Sequence, residues 1–244
     1  MGEYQPPISV IVPTRNRPYS LLRCVEMLRV QDADPRAYEI VVVQDGGCEY
    51  ALPADMESER GPRVRLCRQS HRGPAGARNY GATAAEGEFL LFTDDDCLPP
   101  RSWVSAYVRA AAEYGKTVLT GPVRNARPER LLAETSERMS SFMRDWFRDE
   151  TGSCRFATTN NMGVPRGVFD RVGGFDETFR TAAGEDRAFV TACWGEGIPI
   201  RFVPDATTAH CHEVGLGGFM RQHFGYGRAS RQLRCRYGSR ARES

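Results

Sequence analysis

Three short, nearly continuous apolar runs, at residues 8–12, 39–43 and 89–92, most constrain how this chain can fold. A strand with one wet face alternates apolar and polar residues. Runs without alternation must be covered on both faces, as in a parallel sheet flanked by helices. Helical patterns separate them: Leu21, Leu22, Val25 and Leu28 recur at helical spacing, and residues 75–85 form a stretch of small helix-compatible residues. Residues 64–66 supply a further short strand. The pattern predicts an α/β fold with a Rossmann-like, mostly parallel central sheet.

The strand at residues 89–92 runs directly into Thr93-Asp94-Asp95-Asp96. Adjacent buried carboxylates repel one another unless a cation or several donors face them. Open α/β sheets bind ligands beyond the C-terminal ends of their strands. In an extended segment Asp94 and Asp96 point one way and Asp95 the other. That gives an Asp-x-Asp pair suited to Mg²⁺ or Mn²⁺ bridging to a phosphate. A solvated acidic turn before Pro99-Pro100 is the plainer alternative.

Other strand ends converge on the same edge. The first offers Pro13, Thr14 and Arg15, the second Asp45, and Arg78-Asn79 lie on the helix leading into the acidic strand. One arginine or more, an amide and several acids suit a metal-bound diphosphate carrying a sugar or base. The second half adds helical patterns at 101–114, 129–147, 166–172 and 185–196, extended stretches at 118–119, 156–164, 199–203 and 206–210, and a terminal amphipathic helix from Leu216. Glu185-Asp186 opens one of those helices, where a carboxylate can serve as dipole partner or as a base. His210 and His212 project to one side of a strand and can share a metal. Met139, Phe142, Met143, Trp146 and Phe147 follow a helix face, which predicts core packing rather than a sugar-stacking platform.

With 33 basic and 31 acidic residues, the near-neutral net charge of +2 does not point to nucleic acid. The charge is uneven, however: Arg221, Arg228, Arg231, Arg234, Arg236, Arg240 and Arg242 follow one another with no intervening acid. This reads as a solvated tail or as a contact for anionic lipid or an anionic acceptor. The 8 cysteines show no Cys-x-x-Cys pair, as expected of free thiols in a reducing compartment. The first residues lack a basic start followed by an apolar run, and no stretch has the length of a membrane span. The expectation is a cytoplasmic protein, with peripheral contact at the inner membrane face through its arginine-rich end as the alternative to a solvated tail.

The segments Ile8-Ser-Val-Ile-Val-Pro-Thr-Arg-Asn16, Ile40-Val-Val-Val-Gln-Asp-Gly46, Gly76-Ala-Arg-Asn79, Phe89-Leu-Leu-Phe-Thr-Asp-Asp-Asp96, Asn160-Asn-Met-Gly163, Val172-Gly-Gly-Phe-Asp176 and Gly184-Glu-Asp186 together resemble a family 2 glycosyltransferase of the GT-A fold. They span most of residues 8–212 in the family's order. The resemblance implies a nucleotide-binding half at 1–97, a donor-sugar and acceptor half at 98–215, and a basic helix and tail at 216–244. It places Pro13, Thr14 and Arg15 along the nucleotide and Asp45 on the base, with UDP or dTDP favoured. Arg78 falls at the diphosphate or ribose, Asp94 at the ribose, Asp95 at the donor sugar, the metal or neither, and Asp96 on Mg²⁺ or Mn²⁺. Asn160 and Asn161 fall at the donor-sugar and acceptor pocket. His210, or secondly His212, completes the metal or diphosphate site, and Asp186, ahead of Glu185, is the base.

The implied reaction is inverting transfer from a nucleotide-diphosphate sugar to an acceptor hydroxyl on a glycan, a lipid-linked saccharide or a small molecule. Processive synthases of the family carry Gln-x-x-Arg-Trp near the final helix. Here Gln222 is followed by Gly225-Tyr226, which points to transfer of a single sugar. Weaker readings are a sugar-1-phosphate nucleotidyltransferase, against which stands the glycine-free turn after the first strand, an aspartyl phosphatase, and a non-catalytic nucleotide-sugar binder.

Overall fold

A computed structural model describes residues 7–57, 61–181 and 183–238. The first six residues, Arg240 and Arg242 lie outside the described residues. In chain order the elements are β1 (Ile8–Thr14), α1 (Pro18–Arg29), β2 (Tyr38–Asp45), β3 (Arg63–Gln69), α2 (Gly73–Ala84), β4 (Phe89–Thr93), β5 (Cys97–Leu98) and α3 (Trp103–Tyr114). They continue with β6 (Val118–Thr120), β7 (Val123–Asn125), α4 (Leu131–Trp146), β8 (Asn161–Pro165), α5 (Arg166–Val172), α6 (Glu185–Gly195), β9 (Ile200–Phe202), β10 (Thr208–His210) and α7 (Leu216–Tyr237).

Seven strands form one sheet in the order β3-β2-β1-β4-β8-β6-β9. The contacts β3-β2-β1-β4 and β6-β9 are parallel, while β8 runs antiparallel to both neighbours. Its two faces explain the continuous apolar runs. Val10, Val12, Ile40, Val42 and Leu91 pack under α1 and α3 with Leu21, Val25, Trp103 and Tyr107. Ile11, Val41, Val43, Leu90 and Phe92 face the opposite way, toward α2, α5 and α6, with Ala77, Phe169, Phe175 and Phe189. Each such side chain contributes roughly 1.5–3 kcal/mol on burial, so neither face of the central strands tolerates polar alternation. The small residues of α2 let it lie close on the sheet. A Cβ on Gly81 would come within 2.5 Å of Ile11 Cγ2.

The extended stretch expected at 206–210 is β10, but no pattern marks the second sheet that it builds, in which β10 joins β5 antiparallel and β7 parallel. Strands of two and three residues are too short to show a period. The extended stretch read at 156–164 is a strand only from Asn161. Asn161 itself is a core residue. Its side chain accepts from Trp103 Nε1 and Tyr107 OH, both at 2.8 Å, and donates to the carbonyls of Pro122 and Ala206. It thus ties α3 to the β6–β7 and β9–β10 connections.

The apolar face of α4 does not pack in the core as its spacing suggested. Met139, Phe142 and Trp146 are exposed, while Ala133, Arg144 and the half-buried Glu137, Ser140 and Met143 turn inward. Arg144 donates to Glu137 and Ser141 at 2.8 and 2.7 Å, so the inward face is a polar network that displaces the aromatics outward. No described helix is long and apolar enough to cross a membrane.

Candidate active site

Strand β4 ends at Thr93, and the acidic triplet is a turn rather than an extended segment, closed by Cys97 N–H donating to Asp94 C=O at 3.0 Å. The division of the acids is nevertheless the expected one. Asp94 and Asp96 line a cleft of about 360 Å³, a size suited to a small ligand, while Asp95 turns into the protein. Thr14, at the end of β1, donates to Asp95 at 2.7 Å. Burial pushes the Asp95 carboxyl up to about 7, with Asp96 and Asp94 adding to the effect of burial and Arg17 and Thr14 opposing it.

The small sheet brings the histidines to the acids. His210 lies opposite Cys97 in the β10–β5 register, and Cys211 N–H donates to Asp96 C=O at 2.8 Å. His210 Nε2 is 3.2 Å from Asp96 Oδ1, and the His210 and His212 rings are 5.1 Å apart. One ligand atom each from Asp96, His210 and His212 falls within 4.8 Å of the others. Asp96 Oδ1 is buried and receives no well-directed hydrogen bond. A carboxylate and two imidazoles with an unsatisfied oxygen between them match the donor set of a divalent transition metal such as Mn²⁺. Burial would raise Asp96, yet His210 and Arg17 hold it down at about 2. His210 is itself raised: burial lowers it, but the adjoining Asp96 carboxylate prevails. His212 is lowered by burial and by His210.

Arg78 bridges the acidic turn to α6. Its side chain is buried on α2 and donates to Asp94 at 2.7 Å and to Glu185 at 2.9 Å. Gly184 precedes α6 at φ +93°, where a Cβ would lie 2.8 Å from Ala229 Cβ, so only glycine lets the helix start here under α7. Glu185 Oε2 is buried without a partner. Burial, followed by the charge of Asp186, pushes Glu185 up to about 7 against Arg78. Asp186 is partly exposed and also raised by burial; both acids line the cleft.

The remaining expected residues lie elsewhere. Pro13, Thr14 and Arg15 sit at the end of β1 outside the cleft lining. Asp45 is buried, and its carboxylate accepts four hydrogen bonds: from Gln69, His71, Arg72 N–H and Gly73 N–H at 2.7–2.9 Å. Burial would raise it, and these donors hold it below the ordinary carboxylate range. Asp45 therefore fixes the β3–α2 connection, and it can accept from a base only if one of those donors yields. Asn79 clamps the 175–177 segment through Phe175 and Glu177, away from the site. Of the asparagine pair, Asn160 lines the cleft and Asn161 does not.

No sequence motif assigns Arg17 or Glu137 to the site, and Gln222 and Tyr226 enter the sequence pattern only as the departure from Gln-x-x-Arg-Trp. Arg17 donates to Asp96 at 2.6 Å and lies 3.2 Å from Asp95. Glu137 Oε2 is 4.0 Å from His210 Nδ1, and Gln222 Oε1 is 3.2 Å from His212 Nε2. Arg17 was visible as a cation next to the Pro-Thr-Arg-Asn turn. The α4 and α7 residues carried no signal, because only the tertiary fold brings them to the histidines.

The sequence profile described as Glycosyl transferase family 2 matches residues 9–173. The chain belongs to this family. Among similar proteins, Glycosyltransferase AglE of Haloferax volcanii is 25% identical over 232 residues, covering 93% of this chain and 74% of the relative. Validoxylamine A glucosyltransferase of Streptomyces hygroscopicus subsp. limoneus is 30% identical over 223 residues, covering 80% of this chain and 49% of the relative. The fold is the GT-A fold of solved glycosyltransferases. The mannosyltransferase PcManGT from Pyrobaculum calidifontis, solved with GDP-Man and Mn²⁺, superposes with a TM-score of 0.66 at 21% identity, over 95% of this chain and 63% of that one.

Proposed function

We propose that this family 2 glycosyltransferase moves one sugar from a nucleotide-diphosphate sugar to an acceptor hydroxyl, by a single displacement that inverts the anomeric centre. The carrying observation is the juxtaposition, in one cleft, of Asp96, His210 and His212 with the Arg78–Asp94 pair and the Glu185–Asp186 pair. The fold similarity to an enzyme holding GDP-Man and Mn²⁺ supports the same reading.

Asp96 and His210, with His212 beside them, would hold the divalent ion. A bound ion supplies charge neutralisation for the departing diphosphate. The guanidinium of Arg78, pinned between Asp94 and Glu185, adds a fixed positive charge at the same edge. Asp186 takes the proton from the acceptor hydroxyl as that oxygen bonds to the anomeric carbon. The bond from that carbon to the diphosphate oxygen breaks on the opposite face, and the nucleoside diphosphate leaves. Asp186 suits this task better than Glu185, because it is the more accessible carboxylate and Glu185 is occupied by Arg78. In this reading residues 1–97 supply the nucleotide side, and residues 98–215 supply the donor-sugar and acceptor side.

The test is donor consumption with UDP-, dTDP- and GDP-sugars, with Mg²⁺ or Mn²⁺ and with EDTA, alongside thermal shifts of the corresponding diphosphates. Metal-dependent turnover that Asp96→Ala abolishes is the expected result. Turnover indifferent to both EDTA and that substitution sinks the metal-assisted mechanism.

A further inference from the structure

The two helices that wall the cleft, α4 and α7, carry large apolar side chains that do not line it. On α4, Leu131, Phe142 and Trp146 are 76%, 61% and 71% exposed, and the Phe142 and Trp146 rings stack at 5.9 Å. On α7, Leu216, Met220 and Phe224 are 66%, 62% and 71% exposed. A surface helix of a globular protein normally turns its apolar stripe to the core. Here α7 buries Ala229 and Leu233 but turns Leu216, Met220 and Phe224 outward.

The arginines follow the same outward arc. At about 100° per residue, positions 216, 220 and 224 and positions 228, 231 and 234 fall on one side of the helix, roughly opposite 229 and 233. Arg221, Arg228, Arg231 and Arg234 are exposed, and none has a carboxylate partner among the described residues; Arg236 alone is held, by Asp176 at 2.7 Å. From Val214 to Arg242 the sequence contains no acid.

We infer that the outer faces of α4 and α7 dock the protein on an anionic lipid bilayer. Leu, Met, Phe and Trp side chains enter the boundary between headgroups and acyl chains, while the arginines meet lipid phosphates. Apolar anchors beside uncompensated arginines are the combination that an anionic membrane surface complements. A second copy of the chain fits less well, since a two-fold contact would set α7's arginines against one another. Met139 belongs both to the exposed face of α4 and to the cleft wall, so the cleft borders the docked surface there. The acceptor would then be a lipid-anchored molecule reaching the cleft from the bilayer. That consequence rests on the sugar-transfer reading, whereas the docking does not.

The test is co-flotation of the full chain with vesicles of phosphatidylglycerol mixed with phosphatidylcholine, and with vesicles of phosphatidylcholine alone. Flotation is expected with the anionic vesicles and should weaken as salt rises from about 0.1 M to about 1 M, where the screening length falls from about 10 Å to about 3 Å. Two double variants, Arg228→Glu with Arg231→Glu and Phe142→Ser with Trp146→Ser, should each lower the partition at least roughly tenfold. Both should keep the wild-type melting temperature and the wild-type thermal shift with Mn²⁺ and nucleoside diphosphate, which separates loss of docking from loss of the site. Wild-type protein left in the soluble fraction with anionic vesicles overturns the inference, whether light scattering finds a monomer or a dimer. So does equal flotation of the charge-reversed variant.

Discussion

Arg17 donates to Asp96 at 2.6 Å and stands 3.2 Å from Asp95, so one guanidinium serves two of the three acids in the turn. The Arg17 side chain is 52% exposed, and so free to move, whereas Asp96 is nearly buried. A divalent ion on Asp96 and the Arg17 guanidinium compete for one carboxylate. Arg17→Ala should therefore tighten Mn²⁺ binding in calorimetry, by about two- to fivefold, since half-exposed ion pairs are worth up to about 1 kcal/mol. In the presence of donor the same variant should turn over more slowly, because a cation near the diphosphate is lost. Weaker Mn²⁺ binding in Arg17→Ala would show that Arg17 supports the site and does not compete for it.

Asp186 and Glu185 are neighbours with separate tasks in the proposed reaction. Asp186→Asn should leave donor binding intact and lower kcat by about 10²–10⁴-fold, the usual contribution of a general base. Glu185→Gln keeps an oxygen for Arg78 to reach and should cost less in kcat, with its effect on donor affinity. Equal loss of kcat in both variants would remove the distinction.

Glu185 also sets a pH dependence of stability. Its folded carboxyl is raised to about 7 from an ordinary 4.5, chiefly by burial. Between those values the folded state binds more protons than the unfolded chain, so stability is fully present below about 4.5 and declines as pH rises toward 7. Asp95, also raised to about 7, acts in the same sense. Glu185→Gln should remove part of this decline, on the order of 1–3 kcal/mol across the window. Thermal melts of both proteins from acid to neutral pH check it; parallel curves would rule out an elevated Glu185.

The central strands and the edge where their ends meet were legible because burial on both faces leaves a mark every residue, and three adjacent acids after such a strand have few other uses. Arg78, Asp94, Asp96, Glu185, Asp186, His210 and His212 do meet in one cleft. What stayed hidden depends on distance in sequence. Asn161 reads as a pocket residue next to Asn160, but Asn160 closes a turn while Asn161 begins β8, where it faces Trp103 and Tyr107. The spacing of Phe142 and Trp146 shows that they share a helix face, yet says nothing about whether that face turns inward. The inward position went to Arg144 and Glu137, whose pairing only the fold reveals.

Asn161→Ala should be among the most destabilising single changes. It strips partners from Trp103 Nε1, Tyr107 OH and two carbonyls at once, in a fully buried position. With each stranded group costing about 1–3 kcal/mol, a loss of roughly 3–5 kcal/mol is expected in denaturant melts. A loss under about 1 kcal/mol would mean that water replaces the side chain.

The last prediction concerns Glu137, which no sequence motif marks. Its Oε2 lies 4.0 Å from His210 Nδ1, while Arg144 donates to its other oxygen at 2.8 Å. Burial raises this carboxyl against the pull of Arg144 and His210. A carboxylate behind a metal-binding histidine fixes the ring and raises its basicity, and its loss usually costs about 10–100-fold in metal affinity. Glu137→Gln preserves size and a hydrogen-bonding oxygen but removes the charge. Mn²⁺ affinity, measured by calorimetry or electron paramagnetic resonance without substrate, should fall by roughly tenfold, while the melting temperature of the metal-free protein changes little. A fall in melting temperature with unchanged Mn²⁺ affinity would assign Glu137 to the packing of α4 through Arg144, not to the orientation of His210.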